Sequence, residues 1–147
     1  MVTVERFTPA SPAAVWAVLA DGWAYANWVV GTSSIRDVDP GWPEEGARIH
    51  HSVGAWPLTI DDTTHSQKCE PGRLLKLRAR GWPLGEADVE VELVPDAAGT
   101  RIVMREDAAQ GPGRFVPAPI RWASIVPRNK ESLRRLARLA ENRGAYS

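Results

Sequence analysis

The stretch Glu86-Ala87-Asp88-Val89-Glu90-Val91-Glu92-Leu93 alternates strictly between acidic and apolar residues. Side chains of a strand alternate between two faces, so this segment must put one face in a core and leave the other in water. A chain that carries such a strand needs an antiparallel sheet with one wet side and a cover for the dry side. The closing part of the sequence supplies the cover. From about Pro119 to Arg143, the residues Ile125, Val126, Leu133, Leu136, Ala137 and Ala140 fall on one helical stripe, with Arg134, Arg135, Arg138 and Glu141 mainly opposite. Pro127 lies inside this stretch and removes a backbone donor, which predicts a kink or a break there.

The segments between these two landmarks follow the same logic. Val2–Phe7 alternates as a short strand, and Ser11-Pro12 is an N-cap followed by proline at the first helical position. Ala13–Ala20 then reads as a helix stopped by Asp21-Gly22, and Trp23–Trp28 as a second short helical stretch. Strands are predicted over Val29–Val38, Ala47–Val53, Pro57–Gln67, Leu74–Trp82, Glu86–Val94 and Thr100–Asp107. Asp39-Pro40-Gly41, Glu70-Pro71-Gly72 and Ala97-Ala98-Gly99 punctuate them as turns. The order is strand, two helices, six strands, long helix. A curved sheet wrapped around one helix leaves space between them, because a single helix cannot fill the whole concavity. That space is the expected site for a small molecule.

Composition narrows the function. The 147 residues suit one domain spanning 1–147. Lys plus Arg equals Asp plus Glu at 18 each, so no net field draws the chain to nucleic acid. The basic residues between Arg128 and Arg143 read as the wet face of the helix, and no nucleic-acid partner is expected. No apolar run reaches the ~18 residues needed to cross a bilayer, so stable membrane insertion is not expected. Met1–Arg6 lacks the basic and apolar regions of a secretory signal, which makes the cytoplasm the expected compartment. Cys69 is the sole cysteine, which excludes an intrachain disulfide. Monomer and homodimer both remain open.

Several short motifs occur along this order: Ser11-Pro12-Ala13-Ala14-Val15-Trp16 opening the first helix, Pro71-Gly72-Arg73-Leu74 entering a strand, Gly99-Thr100-Arg101-Ile102 entering the last strand, and Arg128-Asn129 with Leu133 and Leu136 in the closing helix. In that order they resemble the SRPBCC superfamily, which includes START domains, pollen-allergen-like proteins and the polyketide cyclase/dehydrase and lipid-transport family. The resemblance spans nearly the whole chain and is similar to that of short bacterial members. It implies an α+β helix-grip fold: a seven-stranded curved antiparallel sheet around a long C-terminal helix, with two short helices after the first strand. It implies a small hydrophobic ligand, lipid- or polyketide-like, held in an internal cavity. The alternative it implies is a cyclase/aromatase- or dehydratase-like enzyme that uses polar cavity residues to move protons. A superfamily with this range of functions does not by itself choose between them.

The residues themselves add candidates. Strand parity places His51 with Ile49 and Val53, Asp62 with Leu58 and Ile60, and Glu106 with Ile102 and Met104, all on the inward face. A histidine near a carboxylate is the minimal set for proton transfer near neutral pH, so His51, Asp62 and Glu106 are the catalytic candidates. Ligand orientation and plain structural pairing are the competing roles for the same three. Trp accounts for seven of the eleven aromatic residues, and its apolar body with one N–H suits a cavity wall. Trp28, Trp56, Trp82 and Trp122 are the wall candidates, and with His51, Met104 and Glu106 they make the expected ligand-binding set. Trp16 is read as packing the first helix onto the sheet, and Trp23 and Trp42 as surface or loop packing residues. Phe115, Val116 and Ile120, following Gly111 and Gly113, read equally well as a lid or a plain connection. His50 and His51 point to opposite faces of a strand and His65 points outward, so no metal site is expected, and no cofactor. Asn129 reads as a structural residue of the closing helix.

Overall fold

The computed structural model describes residues 1–53, 60–81, 85–110, 115 and 117–145. Strand β1 (Val2–Thr8) leads into helix α1 (Pro12–Leu19). Ser11 caps that helix by accepting a hydrogen bond from the Ala14 amide at 3.1 Å, with Pro12 in its first turn. A 3-10 turn over Gly22–Ala24, capped by Asp21, passes directly into the short helix α2 (Tyr25–Trp28). Six further strands follow: β2 (Thr32–Val38), β3 (Arg48–Val53), β4 (Ile60–Glu70), β5 (Leu74–Gly81), β6 (Gly85–Asp96) and β7 (Gly99–Gln110). Helix α3 (Ala118–Ala145) closes the chain.

The seven strands form one antiparallel sheet in the order β1-β7-β6-β5-β4-β3-β2, leaving β1 and β2 as edges. Register shifts in the β2–β3, β4–β5 and β6–β7 pairings bend it, and α1 and α2 sit between the first two strands in sequence. Cross-strand pairing lines up the inner face in rows. One row runs Val2, Glu106, Val89, Leu77, Ser66, and its neighbour runs Val4, Met104, Val91, Leu75. The outer face is a charge lattice in which Arg105 bonds Glu90 and Glu92 while Arg78 bonds Asp88. The alternation seen in β6 is thus met on both sides.

Gly99 stands where the β6–β7 turn meets the end of β1. A Cβ there would lie 2.1 Å from the Thr8 carbonyl oxygen, so only glycine permits the close approach. The buried stripe of α3 comprises Ile125, Asn129, Ser132, Leu133, Leu136, Ala137 and Ala140. Its main contacts are with β1, α1 and α2, and β7 is touched more lightly.

Two expectations need correction. The second strand begins at Thr32 rather than Val29, because Gly31 turns the chain with φ of 99° and the Val30 amide is taken by Ser132 Oγ of α3. Helix α3 is not broken at Pro127. Both Pro127 and Ala123 lie on its exposed side, where water can satisfy the carbonyl that the proline leaves without a donor. Of the two readings of Trp42, surface or loop packing, the second holds: it stands in the loop between β2 and β3, is 8% exposed, and its Nε1–H donates to the Leu19 carbonyl at the end of α1. A helix C-terminus has spare acceptors and an indole has one donor to place, so the match fills both needs. The first residues of the expected fourth strand, 57–59, lie outside the described residues.

Candidate functional site

One group of polar residues on the inner face forms where Tyr25 of α2 meets His51 of β3 and Thr64 of β4. His51 of β3 is 2% exposed, and its Nε2 lies 2.8 Å from Oγ1 of Thr64 on β4. The same Thr64 oxygen is 3.2 Å from the Tyr25 hydroxyl of α2. Tyr25 stacks on the imidazole with ring centres 5.8 Å apart and planes 19° apart, and meets Trp28 edge-on at 5.6 Å. Tyr25, Thr64 and His51 therefore form one hydrogen-bonded string from helix to sheet. Two atoms of this face, His51 Nδ1 and Ser66 Oγ, are buried with no hydrogen-bond partner among the described residues. Buried polar atoms of that kind are uncommon and call for an explanation.

Burial governs the charges here. It pushes the Tyr25 phenol up to about 12, with the Glu106 charge adding to the rise and the Thr64 hydrogen bond opposing it. It also lowers the His51 imidazole below its ordinary value, against the opposing pull of Asp62, with Arg36 and His50 adding to the fall. Both groups are neutral near pH 7.

Asp62 is the cross-strand neighbour of His51. Its Oδ1 accepts from the Thr63 amide at 2.8 Å and lies 3.5 Å from Arg80 Nε. Glu106 of β7, 8% exposed, accepts from Asn129 Nδ2 at 3.3 Å and from the Arg128 guanidinium, both on α3. A carboxylate buried to this degree is tolerable because both oxygens have partners. Glu106 and His51 share no hydrogen bond. Tyr25 links the two groups, stacked on one and within electrostatic reach of Glu106 and Arg128.

The expected site residues separate into three sets. His51, Glu106, Trp28 (3% exposed) and Met104 (2% exposed) are buried in the interior, and Asp62 stands beside His51. Trp122 is 51% exposed on α3, in company with the exposed Ile120 and Phe115. Trp56 and Trp82 lie outside the described residues, as do Gly111, Gly113 and Val116. The adjacent histidines do diverge: His50 faces away from His51 and meets Asp39 Oδ1 at 3.1 Å.

Sequence reasoning passed over Tyr25, Thr64, Ser66 and Arg128. Thr64 and Ser66 share the inward parity of Asp62, so two small hydroxyls among apolar neighbours were a usable signal. Tyr25 gave none beyond its one-turn spacing from Trp28. Among the described residues no three His, Cys, Asp or Glu side chains gather as metal ligands would, and no helix is long and apolar enough to cross a membrane.

Sheet, helices and enclosed polar string together define the class as a helix-grip protein, a bent antiparallel sheet closed by one long C-terminal helix. The chain belongs to the polyketide cyclase/dehydrase and lipid transport family, whose sequence profile matches residues 1–141. Solved structures repeat the fold at low identity. A protein of unknown function from Staphylococcus aureus superposes with a TM-score of 0.76 at 13% identity, covering 98% of this chain and 94% of the other. The Zhui aromatase/cyclase from Streptomyces sp. R1128 superposes with a TM-score of 0.70 at 21% identity, covering 97% and 93%. A protein from Nitrosomonas europaea gives 0.73 at 16% identity, covering 99% and 96%. Among curated proteins no sequence matches the chain.

Proposed function

We propose that this protein binds a small, mainly hydrophobic molecule between the inner face of its sheet and α3, acting in the cytoplasm. The observation that carries the reading is the pair of buried, unpartnered polar atoms, His51 Nδ1 and Ser66 Oγ, on an inner face whose other buried polar side chains, such as Thr64 and Glu106, have partners. A fold selected for stability alone gains by removing such atoms, since each unmet group costs about 1–3 kcal/mol. A binding protein keeps them, because they orient a ligand whose remaining surface is apolar. The uneven seating of α3, mainly on β1, α1 and α2, supports the same reading, since it leaves β3 and β4 without a main contact from the long helix. Trp28, His51, Met104 and Glu106 are the proposed ligand contacts.

A second reading is favoured by the Tyr25–Thr64–His51 string: proton transfer in a cyclase- or dehydratase-like reaction, with His51, Asp62 and Glu106 as the titratable groups. The match to an aromatase/cyclase fold is compatible with it. Native mass spectrometry of protein purified from its own host tests the first reading, and a co-purified small molecule is the expected result. Incubation with released ligand then separates the two, because a carrier returns it unchanged while an enzyme yields a product of different mass. Protein that carries nothing and shows no tryptophan quenching with apolar aromatic probes would end the binding reading.

A further inference from the structure

Three of the large apolar side chains that this protein leaves in water stand close together in the chain: Phe115 at 74% exposure, Ile120 at 62% and Trp122 at 51%. They fall at the entry to α3. Within residues 117–124 every described side chain is exposed, and burial on the helix begins at Ile125. The first two turns of α3 therefore project beyond the core. Ile120 and Trp122 are two residues apart, about 200° around the helix, so they stand on opposite sides of it. A globular partner or a second copy of the chain covers one side of a helix. A fluid interface surrounds a projecting end and takes up both sides.

Charge identifies that interface. Between Asp107 and Glu131 the sequence holds no acidic residue and four basic ones, Arg114, Arg121, Arg128 and Lys130, in a chain balanced at 18 of each sign. Arg128 is taken by Glu106, and Lys130 is exposed. Acidic groups at the start of β6 and the end of β7 are already matched, Glu86 by Arg78 and Arg80 and Asp107 by the N-terminal amine. Aromatic and aliphatic side chains interleaved with cations suit the boundary between acyl chains and anionic headgroups, where Trp is enriched. We propose that the entry to α3 docks the protein on a membrane surface rich in anionic lipid. Ile120 and Trp122 sink among the headgroups, and the basic residues of the same stretch supply the attraction. The contact is peripheral, since no described helix is long and apolar enough to cross the bilayer. Docking does not depend on the binding reading above. It would place the protein where hydrophobic molecules are stored.

Co-sedimentation with vesicles of phosphatidylcholine, alone or mixed equally with phosphatidylglycerol, tests it. The full chain is expected to sediment with the mixed vesicles roughly tenfold more strongly than with the neutral ones, and to be released as salt is raised. The double variant Ile120→Ser, Trp122→Ser is expected to bind at least about tenfold more weakly, the value of one large apolar side chain returned to water. Arg121→Gln is expected to cost roughly fivefold, the share of one cation beside anionic headgroups. Trp122→Phe keeps the binding and loses most of the quenching that dibrominated lipid chains impose on tryptophan. Far-ultraviolet circular dichroism and Tm confirm that each variant folds. No sedimentation with the mixed vesicles overturns the proposal, as does equal binding to both compositions or binding that the double variant leaves unchanged. A dimer in sedimentation equilibrium that the double variant dissolves, without vesicle binding, assigns this surface to a second copy and overturns it too. Protein that docks but carries no small molecule keeps this inference and loses the binding reading.

Discussion

A phenol with no water around it holds its proton, and Tyr25 is the clearest instance in this protein. Its folded value of about 12 exceeds its ordinary value of 10.0 because burial penalises the phenolate. The unfolded chain releases this proton first, so the folded state loses ground as pH rises. The contribution is complete below about pH 10, falls by about 1.4 kcal/mol per pH unit above it, and is exhausted near pH 12. Absorbance at 295 nm is expected to show one tyrosine ionising late, a phase that Tyr25→Phe removes. Ionisation of Tyr25 near pH 10 in the folded protein would contradict the buried string. The sign for His51 is the reverse in pH: its folded value is lowered, so its stabilising contribution is present above the ordinary 6.5 and is lost below it, as pH falls through the lowered folded value.

At the scale of elements, the middle of α3 is anchored to β7 by charge rather than by packing. Arg128 and Asn129 converge on Glu106, while Leu133, Leu136, Ala137 and Ala140 are buried in the apolar core. Removing one partner leaves a buried carboxylate exposed to its full desolvation cost. Arg128→Met is expected to destabilise the protein by about 1–3 kcal/mol, less than the roughly 3–5 kcal/mol of a fully buried pair, because the Arg128 side chain is 40% exposed. Glu106→Leu combined with Arg128→Met should recover most of that loss. Urea unfolding of the two single variants and the double variant measures the coupling, and simple additivity would show that the pair does not anchor the helix. Periodicity alone located these elements. The stripe of α3 and the alternation of β6 are local repeats, visible without knowing where either element goes. The start of β2 was not legible, since Val29 and Val30 suit a strand and only the Ser132 hydroxyl, over a hundred residues away, claims the Val30 amide.

The whole molecule sets α3 and α2 against the same inner face of a bent sheet, with α3 mainly along β1 and Tyr25 of α2 over His51 and Thr64. A ligand held by that arrangement contacts several elements at once and binds only the folded chain. Its effect is therefore global. At a hundred times its Kd, an apolar aromatic probe that quenches the tryptophans is expected to stabilise the protein by about 2.7 kcal/mol, read as a concentration-dependent rise in Tm. A Tm that does not move under saturating probe would mean that the probe binds folded and unfolded chains alike.

Sequence by itself determined the elements, the antiparallel sheet with a closing helix, and the inward parity of His51, Asp62 and Glu106. All of these follow from periods of two and 3.6 residues that the chain carries locally. Tertiary structure alone decided that Tyr25 lies over His51, that Thr64 joins them, that Arg128 and Asn129 share Glu106, and that Trp42 is buried against the end of α1. Those contacts depend on where α2, α3 and the β2–β3 connection cross other elements. Local alternation of polar and apolar residues records which face of an element is dry, and holds no information about which distant side chain will meet it there.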